Sequence, residues 1–262
     1  MNNGKREKMR VFYGFPEPGA LRQPVVTVGS FDGVHVGHRA ILDRMTVLAA
    51  ERDGASTVVT FDPHPRAVLG GSAVPLLSTL PEKLALLESA GADAVVVVRF
   101  TPEFSRISSG EFVARYLVGR LGMDTLLAGY DHRLGRDKEG DYAALLTASR
   151  SMGFSLEKMP CLQASGRDVS STVVRRLVSE GRMDEAALCL GAPYRLQGQS
   201  DASGRIGPID PCKLLPPPGR YPVKVGAQGR AERSELEIAE GRRVRLSAKG
   251  GFSKGDLVVE FI

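Results

Sequence analysis

Short apolar runs alternate with amphipathic stretches over residues 25–159, and this alternation predicts a repeating strand–helix chain. VVTVGS (25–30), STVVTF (56–61), ADAVVVVRF (92–100), DTLLAG (124–129) and residues 154–159 are the strand candidates. They are largely apolar throughout, as expected of strands in a parallel sheet covered on both faces. Between them, GHRAILDRMTVLAAERDG (37–54) sets Ile41, Leu42, Met45, Leu48 and Ala49 on one helical face and stops at Gly54. Further helices are predicted from Pro81 and Glu82 to Leu87, over Ser109 to Leu121 and over Ala143 to Ser151. Right-handed crossovers then give a doubly wound, Rossmann-like α/β fold, in which ligands bind beyond the carboxyl ends of the strands.

The pattern changes after Pro193. Glycine and proline become frequent in DASGRIGPIDP and LLPPPGRY, followed by strand-like runs in RYPVKVG, SELEIAE, RRVRLSA and DLVVEFI. These turn and alternation signals predict a small all-β unit of four or five strands, a partial barrel. The expected organisation is an α/β domain at 1–194 and a β domain at 195–262.

Composition narrows the classes. The 262 residues are 42% hydrophobic and 25% charged, values of a folded, soluble protein. No apolar run approaches the ~20 residues of a membrane span. MNNGKREKMR reads as a frayed leader to the first strand, because no apolar stretch follows it as in a secretory signal. Cys161, Cys189 and Cys212 lie far apart, which suits a reducing cytoplasm. Of the net charge of +5, the part from Arg195 onward carries +4, in a glycine-rich tail without Trp. That is a solvated surface rather than a nucleic-acid face, which would need clustered basic residues and stacking aromatics.

The candidate chemistry is concentrated in VTVGSFDGVHVGH (26–38), where a strand enters a glycine-rich turn and a helix begins. Gly29 and Gly33 permit the turn, and Gly37 lets a ligand approach the helix start. A helix N-terminus supplies partial positive charge, and His35 and His38 can donate ring N–H groups to phosphate oxygens. Two other readings of HVGH stand beside phosphate binding: an ordinary helix entry with solvent-facing imidazoles, and a metal pair. The metal pair has no third ligand at a supporting interval.

The same string resembles the G-x-F-D-G-x-H-x-G-H signature of the bacterial FAD synthetase family, the adenylyltransferase part of bifunctional riboflavin kinase/FMN adenylyltransferases. Three more segments follow in the family's order. TFDPHP (60–65) is similar to T-F-[ED]-P-H-P, and LAGYDHRLGRDKEGD (127–141) to G-x-D-F-x-F-G-x-x-x-x-G-D. VSSTVVRRLVSEGRMDEAALCLGAPY (169–194) resembles I-S-S-T-x-I-R followed by a helix and L-G-R-P-Y. Within these segments His132 and Leu134 replace two aromatics, and Ala192 replaces an arginine.

The resemblance implies transfer of AMP from ATP to FMN, giving FAD and pyrophosphate, in a cytoplasmic enzyme that uses Mg²⁺ with ATP. It makes His35, His38, Ser171, Thr172 and Arg175 the catalytic set. Gly29, Ser30, Phe31, Asp32, Gly33, Gly37 and Ser170 border ATP. Asp62, Pro63, His64, Pro65, Gly129 and Asp131 border FMN. Asp32 or Asp131 is the carboxylate placed to touch the metal. Ser170 or Ser171 is also a plausible helix cap on local grounds alone. In the tail, the family's G-R-x-x-G-F-P-T-A-N falls at GRIGPIDPCKL (204–214), where Pro208, Ile209, Asp210 and Pro211 break the pattern. The expectation is therefore an adenylyltransferase without riboflavin kinase activity. Two alternatives remain: a nucleotidyltransferase for another phosphorylated cofactor precursor, and a non-catalytic nucleotide- or flavin-binding protein. No nucleic acid or membrane partner is expected, and oligomeric state is not legible.

Overall fold

A computed structural model describes residues 8–70, 74–129, 142–160, 163–164, 167–227, 230–247 and 255–262. Asp131, with His132 and Leu134, lies outside the described residues. Packing divides the chain into two compact units. The first is Met1–Phe31, Gly37–Val74 and Leu84–Leu162; the second is Asp32–Val36, Pro75–Lys83 and Gln163–Ile262.

The first unit carries β1 (Arg10–Tyr13), β2 (Val25–Val28), β3 (Ser56–Asp62), β4 (Ala94–Arg99), β5 (Thr125–Ala128) and β6 (Ser155–Lys158). They form one parallel sheet in the order β1-β4-β3-β2-β5-β6. All four residues of β2 and β5 are buried, as are the first five of β3 and of β4, which is why these strands lack polar alternation. The chain steps outward from β2 to β3 and β4, then returns to lay β5 against the other side of β2. The strand order thus reverses beside β2, the position at which open α/β sheets hold ligands.

The helices are α1 (Val36–Glu51), the short α2 (Pro65–Leu69), α3 (Leu80–Ser89), α4 (Ser109–Glu111) and α5 (Tyr142–Met152). Leu42, Met45, Leu48 and Ala49 form the buried face of α1, as the periodicity predicts, while Ile41 is half-buried. The helix expected over Ser109 to Leu121 begins as α4 and widens into a π-helix over Phe112–Val118. There the N–H of Gly119 reaches the carbonyl of Ala114 at 3.0 Å.

β1 is a strand absent from the expected set, and it begins at the last residue of the expected leader, whose first seven residues lie outside the described ones. Met9 is buried and Arg10–Tyr13 pairs in register with Ala94–Val97 at the sheet edge. RVFY is short and half exposed, so neither apolar run length nor alternation marks it.

The second unit contains the strand pair β7 (Gln163–Ala164) and β8 (Arg167–Asp168), then α6 (Ser171–Ser179) and α7 (Met183–Leu190). Six further strands follow: β9 (Arg195–Ser200), β10 (Arg205–Gly207), β11 (Gly219–Ala227), β12 (Arg230–Ala239), β13 (Arg243–Leu246) and β14 (Gly255–Phe261). These close into an antiparallel barrel in the order β10-β13-β12-β11-β14-β9. The barrel is complete where a partial one of four or five strands is expected. β9 and β10 supply the difference, their sequences RLQGQS and RIG being too polar and too short to read as strands. Closure pairs both edges and leaves none to template association.

One core cluster joins inward residues of the barrel, among them Leu196, Val223, Leu236 and Val259, to Val174, Val178 and Ala186 of α6 and α7. The expected boundary at 194/195 therefore falls inside this unit, between α7 and β9.

Candidate active site

The turn after β2 is built from backbone conformations that side chains resist. Phe31, Gly33 and Val34 all have positive φ, at 48°, 79° and 43°. A β-branched valine in that region is an outlier, and such residues persist only where surrounding structure fixes them. At Gly33 the requirement is twofold, since an added Cβ would also stand 3.0 Å from Cβ and Cδ1 of Leu77.

The fixing element in the second unit is the carboxylate of Asp32, which is 2% exposed. Its Oδ1 accepts from the N–H and hydroxyl of Ser78 at 2.9 and 3.2 Å. Its Oδ2 accepts from the N–H of Leu77 at 3.1 Å and from Nη2 of Arg175 at 2.6 Å. Ser78 Oγ accepts in turn from the N–H of Gly33 at 2.9 Å. Arg175 also donates through Nε to the carbonyl of Pro75 at 2.9 Å. The strap Pro75–Ser78 thus registers both the turn and Arg175.

α6 is set on the same anchor. Ser170 is its N-cap, accepting from the N–H of Val173 at 3.3 Å, and the Ser171 hydroxyl donates to the Asp32 carbonyl at 3.0 Å. Thr172 is exposed on the first turn. Neither α1 nor α6 has an acidic residue in its first turn, so no side chain there offsets the positive helix end.

His35, immediately before α1, is buried, and that burial lowers its pKa to about 4, against the opposing pull of the Asp32 carboxylate. At neutral pH the ring is uncharged and donates one N–H. The solvent-facing reading of His35 is therefore wrong.

The first unit holds the remaining residues of the motif. The N–H of Gly29 donates to the Val59 carbonyl at 3.0 Å, and Thr60 Oγ1 donates to the Ser30 carbonyl at 3.2 Å. Those bonds tie the end of β2 to β3. The Phe31 ring packs on the His38 ring with centroids 4.7 Å apart, and Nδ1 of His38 is shielded from solvent. Gly37 is the second residue of α1.

At the end of β3, Asp62 and Pro63 are exposed, while His64 caps α2 by accepting through Nδ1 from the N–H of Arg66 at 3.2 Å. Pro65 opens α2. Gly129 follows β5, its Cα side facing Ile41. Phe61, Phe100 and Phe104 form an edge-to-face cluster at the carboxyl ends of β3 and β4, with centroids 5.5 to 6.2 Å apart.

Several partners were not legible as site residues: Leu77, Ser78 and Pro75 act largely through the backbone, which has no sequence signature. The nearby T-L-P-E was readable as a capping box. Thr79 and Glu82 bond reciprocally, the Thr79 N–H to Glu82 Oε2 at 2.8 Å and the Glu82 N–H to Thr79 Oγ1 at 3.5 Å.

Comparison with known proteins decides the family. Residues 18–173 match the FAD synthetase family. The chain belongs to that family. It is 35% identical over 217 residues to the bifunctional riboflavin kinase/FMN adenylyltransferase of Listeria monocytogenes, a match covering 78% of this chain and 68% of the relative. It is 37% identical over 175 residues to the enzyme of the same description from Pseudomonas fluorescens, covering 67% and 56%. The chain thus spans little more than half to two thirds of these curated relatives. A solved structure titled as a macrolide-efflux protein from Streptococcus pneumoniae superposes with a TM-score of 0.82 at 21% identity, covering 97% of this chain and 90% of that one. That likeness shows a shared fold. Among the described residues no helix of the FAD synthetase-family chain is long and apolar enough to cross a membrane.

Proposed function

We propose that this chain is an FMN adenylyltransferase, joining AMP from ATP to the phosphate of FMN and releasing pyrophosphate. The observation that carries the reading is the strained turn at the carboxyl end of β2. It opens α1 at the reversal of strand order and is fixed by bonds within the protein. A phosphate oxygen of FMN forms a bond to the α-phosphorus as the bond from that phosphorus to the β-bridging oxygen breaks. The attacking phosphate is already ionised at neutral pH, so the site needs no general base. Positioning and neutralisation of phosphoryl charge carry the rate.

In this reading the N–H groups at the start of α1, with neutral His35 and with His38, face the triphosphate, and Ser171, Thr172 and Arg175 serve it from α6. Gly29, Ser30, Phe31, Gly33, Gly37 and Ser170 shape the ATP side through their backbone. Asp32 is reassigned. Its two oxygens already accept four hydrogen bonds from the protein, so it acts as the scaffold of the turn rather than a contact to ATP or metal. Among the described residues no group of three or more His, Cys, Asp or Glu is assembled. Mg²⁺ would enter with the MgATP substrate, phosphate oxygens supplying most of its ligands.

For the acceptor, Asp62 to Pro65, Gly129 and Asp131 border FMN, and the Phe61–Phe100–Phe104 cluster offers an apolar flank near DPHP. We further infer that riboflavin is not phosphorylated. In the stretch where the relatives' kinase motif aligns, the backbone is committed to packing. The Asp210 carbonyl accepts from the N–H of Lys213 at 3.0 Å, and Arg242 Nη2 donates to the Asp210 and Lys213 carbonyls at 3.0 and 2.7 Å. A cytoplasmic location fits substrates of this kind.

Incubation of purified protein with MgATP and FMN, riboflavin, phosphopantetheine or nicotinamide mononucleotide, with products resolved by chromatography, tests the assignment. FAD from FMN and no product from riboflavin is expected. Product only from a non-flavin acceptor would overturn the flavin reading, and FMN from riboflavin would overturn the inactive-kinase claim.

A further inference from the structure

The strap that registers Asp32 and Arg175 has a second side, and that side is held by the barrel portion of the same unit. Leu76 pairs with Lys213 in a short parallel bridge. The Leu76 N–H donates to the Cys212 carbonyl and the Leu214 N–H to the Leu76 carbonyl, both at 2.7 Å. Lys213 itself is 2% exposed, and its ammonium donates to the Leu77 carbonyl at 2.7 Å and to Glu82 Oε2 at 2.8 Å. It also lies 4.4 Å from the centroid of the Tyr194 ring, whose hydroxyl donates to the Leu214 carbonyl at 2.8 Å. Glu82 is shared: Oε1 accepts from the Gln197 N–H of β9 at 2.9 Å, and Oε2 accepts from Thr79 as well as Lys213.

Leu77 therefore stands between two charged groups. Its N–H points at the carboxylate of Asp32 and its carbonyl at the ammonium of Lys213. A residue held through both its N–H and its carbonyl has little freedom to shift, and its position sets where Asp32 and Arg175 lie.

We propose that Lys213 is a positioning residue for nucleotide binding. Through the Leu77 carbonyl it holds the strap that places the phosphate turn and Arg175, and so makes the barrel part of the transferase rather than an appended module. This rests on the reading that the turn holds the triphosphate of ATP. Desolvation pulls the Lys213 pKa down, and the charge and hydrogen bond of the Glu82 carboxylate oppose that shift.

A merely structural lysine would make the same contacts, so the test separates stability from placement. Lys213→Met keeps an unbranched apolar stem one heavy atom shorter and removes both the charge and the Leu77 tether. Adding Glu82→Gln then removes the unpaired buried charge, although its amide N–H comes to face the N–H of Thr79 or of Gln197, so stability recovers only in part. MgATP binding is read by calorimetry, without any acceptor, alongside the thermal midpoint and the KM for ATP in the FMN assay. The expected result is a lowered midpoint in Lys213→Met, partly recovered in the double variant, with MgATP affinity about tenfold weaker in both. Affinity that recovers together with the midpoint would overturn the positioning role. Wild-type protein that binds no MgATP would overturn the nucleotidyltransferase reading and this inference with it. Binding without FAD formation would overturn the acceptor assignment alone.

Discussion

Replacing Asp32 with Asn separates a scaffold from a ligand. The side chains are isosteric, but the amide nitrogen donates where the carboxylate accepts. Asp32 takes up the Leu77 and Ser78 N–H groups, the Ser78 hydroxyl and the Arg175 guanidinium, and it is 3% exposed at its side chain against 13% for Arg175. Either orientation of the amide leaves at least one buried donor facing another, a cost of about 1–3 kcal/mol. It also leaves Arg175 without its anionic partner, and breaking one side of a buried pair costs about 3–5 kcal/mol. These overlap rather than add, so a loss of about 3–5 kcal/mol is expected, read as a drop in the urea midpoint with the slope unchanged. Had Asp32 been a metal or phosphate ligand, held in place against electrostatic cost, the substitution would leave the ligand-free protein equally or more stable. An Asp32→Asn protein with an unchanged or raised midpoint would refute the scaffold assignment.

His35 predicts a pH dependence with a definite sign. Its folded pKa of about 4 lies below the ordinary 6.5, so the unfolded chain binds the proton first as pH falls. Its contribution is therefore complete above pH 6.5 and declines towards pH 4, by up to about 3 kcal/mol. Denaturant titrations at several pH values should show that slope, flattened in His35→Asn; an identical slope would remove the buried-neutral assignment. His38→Ala should lower turnover by about 10²-fold, the scale for losing an electrostatic donor in the transition state, with FAD formation as the assay. Gly33→Ala should destabilise by about 1–3 kcal/mol through its φ of 79° and its approach to Leu77. A protein as stable as the wild type would show that the turn relaxes.

The sheet was legible because its strands are buried on both faces and therefore read as uninterrupted apolar runs. The ends of β2, β3 and β5 could be named to within a residue or two. β1, β9 and β10 were not, since RVFY, RLQGQS and RIG owe their strand state to the neighbours they pair with. The histidines, SST and Arg175 were readable as residue types at spacings suited to phosphate. What was not readable was the state they are held in. Nothing in VGSFDGVH shows that His35 is dry, or that Asp32 faces inward, since the latter depends on Leu77 and Ser78, 45 and 46 residues away. Lys213 was visible only as a residue in a stretch that departs from a motif.

The left-handed residues of the turn connect these observations. Phe31 and Val34 hold conformations that cost of order 1–3 kcal/mol each, with nothing local to compensate. Asp32 and the Gly33 N–H lie between them, and both are bonded to the strap Leu77–Ser78. The strain is thus offset by buried, partly charge-assisted hydrogen bonds made within the protein itself. A turn already fixed in this way need not be ordered by ATP, so less binding energy is lost to arranging the donors. The same logic explains why the anchor is a carboxylate and not a hydroxyl or an amide. Only an acceptor with two oxygens can take two backbone N–H groups and a guanidinium at once, and under the proposed function it is the guanidinium of Arg175 that phosphate transfer needs held.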